Sequence, residues 1–323
     1  MEQMRGWETM VEALAEQLTA SYVFPQVGAA MAEAVRRKWL AGGYRHVESA
    51  VGLAEQLTDD LRNISRDLHV KVFYSEELIA HDDGEQLPYW QGAEAVNFGF
   101  AKVERLTGNV GYLKLDAFLP PERAGETLGG ALAFLAHTEA MILDLRENRG
   151  GEPGMVQLLC SYFLAAQPVL LNTIYARETD TTRQFWSLPV LPGRRYLDKP
   201  VYILTSRMTF SAAEEFSYNL QHLQRATLVG EVTRGGANPG KVFRLQDHFR
   251  VFIPTQRSIN PITQSNWEGT GVTPDVQLPA AEALAWAHRE AVQAIVAKVE
   301  ADPEHYPYGR FRNEVRELKA TLN

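Results

Sequence analysis

From about residue 98 onward the chain alternates short apolar runs with amphipathic segments, and this alternation limits its possible folds more than any other feature. FGFAKVERL, NVGYLKLDAF, AMILDLREN, PVLLNTIYA, PVYILTS and ATLVGEV have the length and the β-branched and aromatic content of strands. Residues 121–136, 153–165 and 211–223 carry helical spacing between them. Strands separated by helices cannot be joined by tight hairpin turns. They predict a mostly parallel α/β sheet whose connecting loops hold the working groups. VFRLQ and FRVFIP, meeting at Asp247-His248, predict one further hairpin, and helices over 280–299 and 309–321 finish the chain.

The first part of the chain has a different period. Trp7, Val11, Leu14 and Leu18 recur at helical spacing, with Pro25 expected to close that segment. Val27, Met31, Ala34, Val35 and Trp39 mark a second helix, ended near Gly42-Gly43. Val51, Ala54, Leu57, Leu61 and Ile64 mark a third. Val70, Val72 and Tyr74 then alternate as a strand would, and the polar stretch 80–97 reads as a loop. The expected division is a three-helix domain over 1–75 followed by a core over 76–323.

Composition removes several classes of function. With 45% hydrophobic residues the chain can bury a sizeable core, and its net charge of −8 disfavours nucleic acid or an anionic membrane surface as a partner. No run of about 18 apolar residues exists to span a bilayer. The acidic start MEQMRGWETMVEALAEQL is not a secretory leader, so the expected location is cytoplasmic, or exported if a leader has been removed. The single cysteine, Cys160, lies in the apolar run MVQLLCSYFL and reads as a buried small hydrophobe.

Two segments could carry chemistry. In VYILTSRMTFSAAEEFSYNLQ a buried strand runs into a loop, and a helix starts near Ser211. There, free backbone N–H groups and the helix dipole could stabilise an oxyanion. Ser211 with Glu214 three residues on is equally a capping box that only stops the helix. In LDLRENRGGEPGM a strand ends in Asp144-Leu145-Arg146, followed by Asn148 and the pair Gly150-Gly151. Such a pair can turn sharply and present bare N–H groups to a ligand, or simply end the strand. A third glycine-rich loop, with Gly230, Gly235, Gly236 and Gly240, follows ATLVGE.

The order strand, DLRxNxGG, helix, strand, Ser, helix, GExTxGG resembles the C-terminal processing (tail-specific) serine peptidases. Within them it is similar to the branch of interphotoreceptor retinoid-binding protein and the tricorn core. The likeness runs from NFGFAKVERLTGNVGYLKLDAF to EGTGVTPDV, and residues 1–66 resemble that branch's helical domain. It implies a crotonase/ClpP-like core of stacked ββα units, with too few residues before it for a PDZ domain. It also implies Ser211 as nucleophile, with backbone N–H groups of Ala212 and of Gly150 or Gly151 as the oxyanion hole.

The family's catalytic Lys position is occupied here by Gly236, and Lys241 lies five residues out of register. The tricorn-type arrangement instead implies His69, in RDLHVKV, as base and Glu268, in WEGTGVTPD, as its orienting carboxylate. Without the resemblance, His69 reads as a histidine satisfied by backbone and Glu268 as a solvated turn carboxylate. The other histidines share no metal-ligand spacing, so neither a metal nor a cofactor is expected. Asp275, and Asp144 with Arg146, read as structural. The implied activity is hydrolysis of a peptide or related acyl bond. The rival is a non-catalytic carrier of a hydrophobic, retinoid-like or fatty-acid-like ligand on the same fold.

Overall fold

The computed structural model describes residues 2–79 and 90–322, so most of the polar stretch 80–97 lies outside it. Residues 93–97, expected as loop, and the first two residues of the expected strand from 98 form a short 3-10 helix, Ala93–Gly99, with non-helical angles at Val96, Asn97 and Phe98. The chain makes two compact units. One, the helical unit, comprises Met1–Tyr89, Thr173–Gln184 and Gly235–Gly269. The other, the sheet unit, comprises Trp90–Asn172, Phe185–Arg234 and Thr270–Asn323. These units are discontinuous in sequence and differ from the contiguous division at 75/76.

The reason is strand pairing. Lys71–Tyr74 pairs antiparallel with Phe249–Phe252, whose strand forms the expected hairpin with Gly240–Gln246. Helices Glu2–Ser21, Pro25–Leu40 and Ala50–Ser65 bury Met10, Leu14, Leu18, Met31, Leu53 and Leu57 in one cluster with Val72, Val251 and Ile253. The hairpin therefore completes the helical unit's core, although it lies far along the chain. Pro25 opens the second helix rather than closing the first. The first helical turn has no intrahelical use for its N–H groups, so a residue lacking one fits there.

In the sheet unit six strands lie in the order Val276–Gln277, Thr227–Gly230, Val201–Thr205, Ala140–Asp144, Val110–Leu115 and Phe100–Leu106. All neighbours are parallel except the Phe100–Leu106/Val110–Leu115 hairpin. That hairpin with helix Pro121–Leu135 forms one clear ββα element. Ala283, Ala287 and Ala291, four residues apart on helix Ala280–Ala301, pack against Val110, Ile142, Leu204 and Val229. Small side chains at that spacing let the helix lie close to the sheet. PVLLNTIYA, expected among the core strands, instead pairs antiparallel with Gln256–Ile259 through residues 173–176.

The strands 140–144, 201–205 and 227–230 are adjacent and parallel, so the loops at their carboxyl ends emerge on one edge of the sheet. These are the DLRENRGG, TSRMTFS and GEVTRGG segments. Such an edge is where open α/β sheets place their ligands. No helix among the described residues is long and apolar enough to cross a membrane.

One buried group in this unit makes stability depend on pH. Glu215, on helix Ala212–His222, is deeply buried, and burial pushes its carboxyl up to about 7 despite a hydrogen bond with Asn172. Between its ordinary value of 4.5 and about 7, the folded state keeps a proton that the unfolded chain has released. This carboxyl therefore lowers stability progressively as pH rises through that window, and by a constant amount above it. Glu215→Gln should raise the melting temperature above pH 7, by a margin worth about 3 kcal/mol at most. The gain should shrink to nothing below about pH 4.5; thermal melts of both proteins across this range check it.

Candidate functional site

In the sheet unit, Ser211 begins helix Ala212–His222 with φ 55° and ψ −121°. A residue that merely caps a helix has extended backbone angles, and a side chain at positive φ costs on the order of 1–3 kcal/mol. The neighbourhood holds this strain through named bonds. The fully buried Glu214 takes the Ser211 N–H on Oε2 at 2.8 Å and the Thr233 hydroxyl on Oε1 at 2.5 Å. The Thr233 hydroxyl in turn accepts the Val272 N–H at 2.7 Å. The carboxylate half of the capping box is thus present, but its effect extends beyond the cap. It fastens the serine turn, the GEVTRGG loop and the GTGVTPD segment to one buried group.

The glycine pair meets this turn directly. A Cβ on Gly150, which has φ 103°, would lie 2.6 Å from Ser211 Cβ and 2.9 Å from the Ala212 nitrogen. No side chain fits between them. Asn148, fully buried, sets the approach: its carbonyl accepts the Phe210 N–H at 3.0 Å, and its Oδ1 accepts the Gly150 N–H at 2.8 Å.

The N–H of Gly150, one of the two alternatives expected as an oxyanion donor, is engaged by Asn148 Oδ1. Gly151 differs. Phe118 donates to the Gly150 carbonyl and accepts from the Glu152 N–H, so the bridging residue Gly151 turns its own N–H the other way. Ala212, as the first helical residue, has no intrahelical acceptor for its N–H. The Asp144–Arg146 ion pair is structural, at 2.6 Å. Burial alone would raise the Asp144 carboxyl, but hydrogen bonds from Arg146 and Tyr112 outweigh it and hold it low. Asp275 is likewise structural, accepting the Leu228 N–H at 2.7 Å.

His69 and Glu268 belong to the helical unit, and there they come together. Helix Ala50–Ser65 ends in a left-handed Arg66, and Arg62 from its last turn donates to the carbonyls of Leu68 and Val70 at 2.7 and 2.9 Å. These bonds pin the backbone on either side of His69. Asp67, fully buried, accepts the His69 N–H on Oδ1 at 3.0 Å. Its Oδ2 takes the Tyr22 hydroxyl at 3.2 Å and Asn238 Nδ2 at 3.5 Å. Glu268 Oε2 accepts the N–H groups of Ala237 and Asn238 at 2.6 and 3.0 Å, so Glu268 is not a solvated turn residue. The buried Trp267 beside it donates to the Gly236 carbonyl at 2.8 Å.

One nitrogen or oxygen from each of Asp67, His69 and Glu268 lies within 4.8 Å of the other two. Burial raises the Asp67 carboxyl above its ordinary value, outweighing the hydrogen bonds from His69, Asn238 and Tyr22 and the one with Glu268. Burial and the neighbouring Asp67 likewise push the Tyr22 phenol up, so it remains a neutral donor.

Asp67, Asn238 and Tyr22, and the wider role of Glu214, are hardly legible in residue order. Asp67, two residues before His69, was the one detectable signal, since an aspartate commonly accepts the N–H two residues on. Lys241 lies elsewhere in the helical unit: it is exposed and paired with Glu178 at 2.5 Å.

A parallel sheet that carries a strained serine at a helix start, beside a glycine turn, on its carboxyl edge is built like a serine hydrolase. The chain belongs to peptidase family S41, which matches residues 109–278. Residues 2–93 match the N-terminal domain of Peptidase_S41 in eukaryotic IRBP. Carboxyl-terminal-processing peptidase 2, chloroplastic, of Arabidopsis thaliana is 27% identical over 175 residues, 53% of this chain and 32% of that protein. The chain thus spans about a third of the length of the curated relatives it matches. Among solved structures, a putative peptidase from Parabacteroides merdae superposes with a TM-score of 0.59 at 22% identity, covering 84% of this chain and 89% of that one. The photosystem II D1 C-terminal processing protease does so with a TM-score of 0.52 at 16% identity, covering 84% and 92%. These two show the fold.

The Glu214 arrangement has a measurable consequence. Glu214→Ala would leave the Ser211 N–H and the Thr233 hydroxyl without their buried acceptor. The expected loss is about 2–4 kcal/mol of stability in urea unfolding, with Glu214→Gln losing less. A loss within about 0.5 kcal/mol for Glu214→Ala, the range of ordinary surface substitutions, would remove Glu214 from this role.

Proposed function

We propose that this protein is a serine peptidase in which Ser211 is the nucleophile, His69 the general base and Glu268 the carboxylate that orients His69. The observation that carries the proposal is the strained Ser211 turn, with a glycine packed against it, inside the segment that matches the family. A helix cap needs neither feature. Ser211 Oγ attacks the scissile carbonyl carbon as its proton passes to neutral His69. The tetrahedral oxyanion is held by the N–H groups of Ala212 and Gly151. The imidazolium then returns the proton to the leaving amine, leaving an acyl-enzyme that water hydrolyses.

The substrate is a polypeptide or a related acyl compound, and the relatives' names point to removal of carboxyl-terminal segments. Membership of a peptidase family favours hydrolysis over the carrier reading. Lys241 has no part in this mechanism, since its exposed pairing with Glu178 serves as an ordinary surface contact.

Incubation with a fluorophosphonate followed by peptide mapping should place the label on Ser211 alone. His69→Ala should slow labelling by about 100-fold or more, whereas Lys241→Ala should leave the rate within about twofold. Label on another serine with Ser211 untouched would overturn the assignment of the nucleophile. Labelling lost in Lys241→Ala but kept in His69→Ala would overturn the assignment of the base.

A further inference from the structure

The geometry points to a binding site for one divalent transition-metal ion, zinc-like in preference, at Asp67, His69 and Glu268 of the helical unit, where the ion would withhold His69 from proton transfer. Two independent features support this. The first is the arrangement of donors. One ligand atom from each residue lies within 4.8 Å of the other two, and His69 Nδ1 stands 3.8 Å from Asp67 Oδ1. That separation is too long for a hydrogen bond. Zinc–nitrogen and zinc–oxygen bonds near 2.0–2.2 Å place tetrahedral donors roughly 3.3–3.5 Å apart, so small side-chain rotations bring these atoms to the required spacing.

The outer shell is also built. Glu268 Oε2 is fixed by two backbone N–H groups, and Asp67 Oδ2 by Tyr22 and Asn238. Metal sites hold their carboxylates in this way. Asn238 serves both residues, through its backbone to Glu268 and its side chain to Asp67.

The second feature is charge. Asp67 is fully buried, and among the described residues its only ion-pair partner is His69. A cation bound between Asp67 and Glu268 would offset the charge of two neighbouring carboxylates. One imidazole and two carboxylates suit zinc or cobalt better than calcium or magnesium, which prefer oxygen alone. Three protein ligands leave a fourth position for water.

Binding forms one bond to His69 Nδ1 and one to an oxygen of each carboxylate. Protons held on these groups leave to solvent. With the metal on Nδ1, the imidazole keeps its remaining proton on Nε2 and cannot accept another. This last consequence, inhibition, rests on the proposed role of His69; the binding does not.

The test is titration of the full chain with zinc by calorimetry and with cobalt by visible absorption, which reports ligand number without any turnover. Wild type and Ser211→Ala should each take one ion with the same affinity. Asp67→Asn and Glu268→Gln should each bind at least about tenfold more weakly. Circular dichroism establishes which variants fold, and either carboxylate variant alone carries the comparison. Absence of saturable binding in wild type, or equal affinity in wild type and a folded carboxylate variant, would overturn the site. Binding as expected without any effect on fluorophosphonate labelling would keep the site and overturn its inhibitory role. The hydrolase reading itself is judged separately, by metal-free labelling of Ser211.

Discussion

The serine-bearing edge of the sheet unit depends on the buried carboxylate of Glu214. It accepts from the strained Ser211 backbone and from Thr233, and Thr233 accepts from Val272. Three segments distant in sequence are thereby tied to one group that solvent does not reach. An isolated turn at φ 55° would relax toward the common regions of backbone space, because the strain is comparable to a single net hydrogen bond. It persists here because neighbouring bonds over-determine it. Asn148 adds the second fastening, linking the Phe210 N–H to the glycine turn through its backbone and side chain. The serine conformation and the glycine approach are therefore not separate features, and each removes room for the other to move.

The helical unit solves a similar problem with different means. His69 follows a helix rather than preceding one, and its position is set by the left-handed Arg66, the two carbonyls clamped by Arg62 and the acceptor Asp67. Glu268 is held by backbone N–H groups of the glycine-rich loop that ends at Gly240. That loop leads into the hairpin that completes the unit's core against Leu14, Leu57 and Val72. Core packing and the placement of titratable groups are thus the same event: residues 235–269 supply both the hydrophobic strands and the carboxylate. Burial of Asp67 beside His69 and Glu268 raises its carboxyl above the ordinary value, against the hydrogen bonds that hold it in place.

Strands and helices with strong periodicity were legible from residue order: the 201–205 strand, the 212–222 helix and the Asp247-His248 hairpin all follow from apolar spacing and turn chemistry. The buried state of Cys160 followed from its apolar neighbours. Pro25 is ambiguous in sequence, because a proline ends one helix and starts another with the same local signature. The partner of the strand Leu170–Ala176 is not legible in sequence, because its apolar content shows that it is buried but not which strand it pairs with.

The sequence by itself determined the strongly periodic strands and helices, the glycine and serine loops at the strand ends, and the family those loops belong to. Only tertiary structure decided that residues 235–269 join the helices rather than the parallel sheet, and that Asp67 stands with His69 and Glu268. It alone showed that Ser211 is strained. The physical reason is range. Periodicity, capping and turn preferences act over a few residues and are written in local order, whereas pairing partners, burial of a carboxylate and backbone strain arise from contacts between segments tens to hundreds of residues apart.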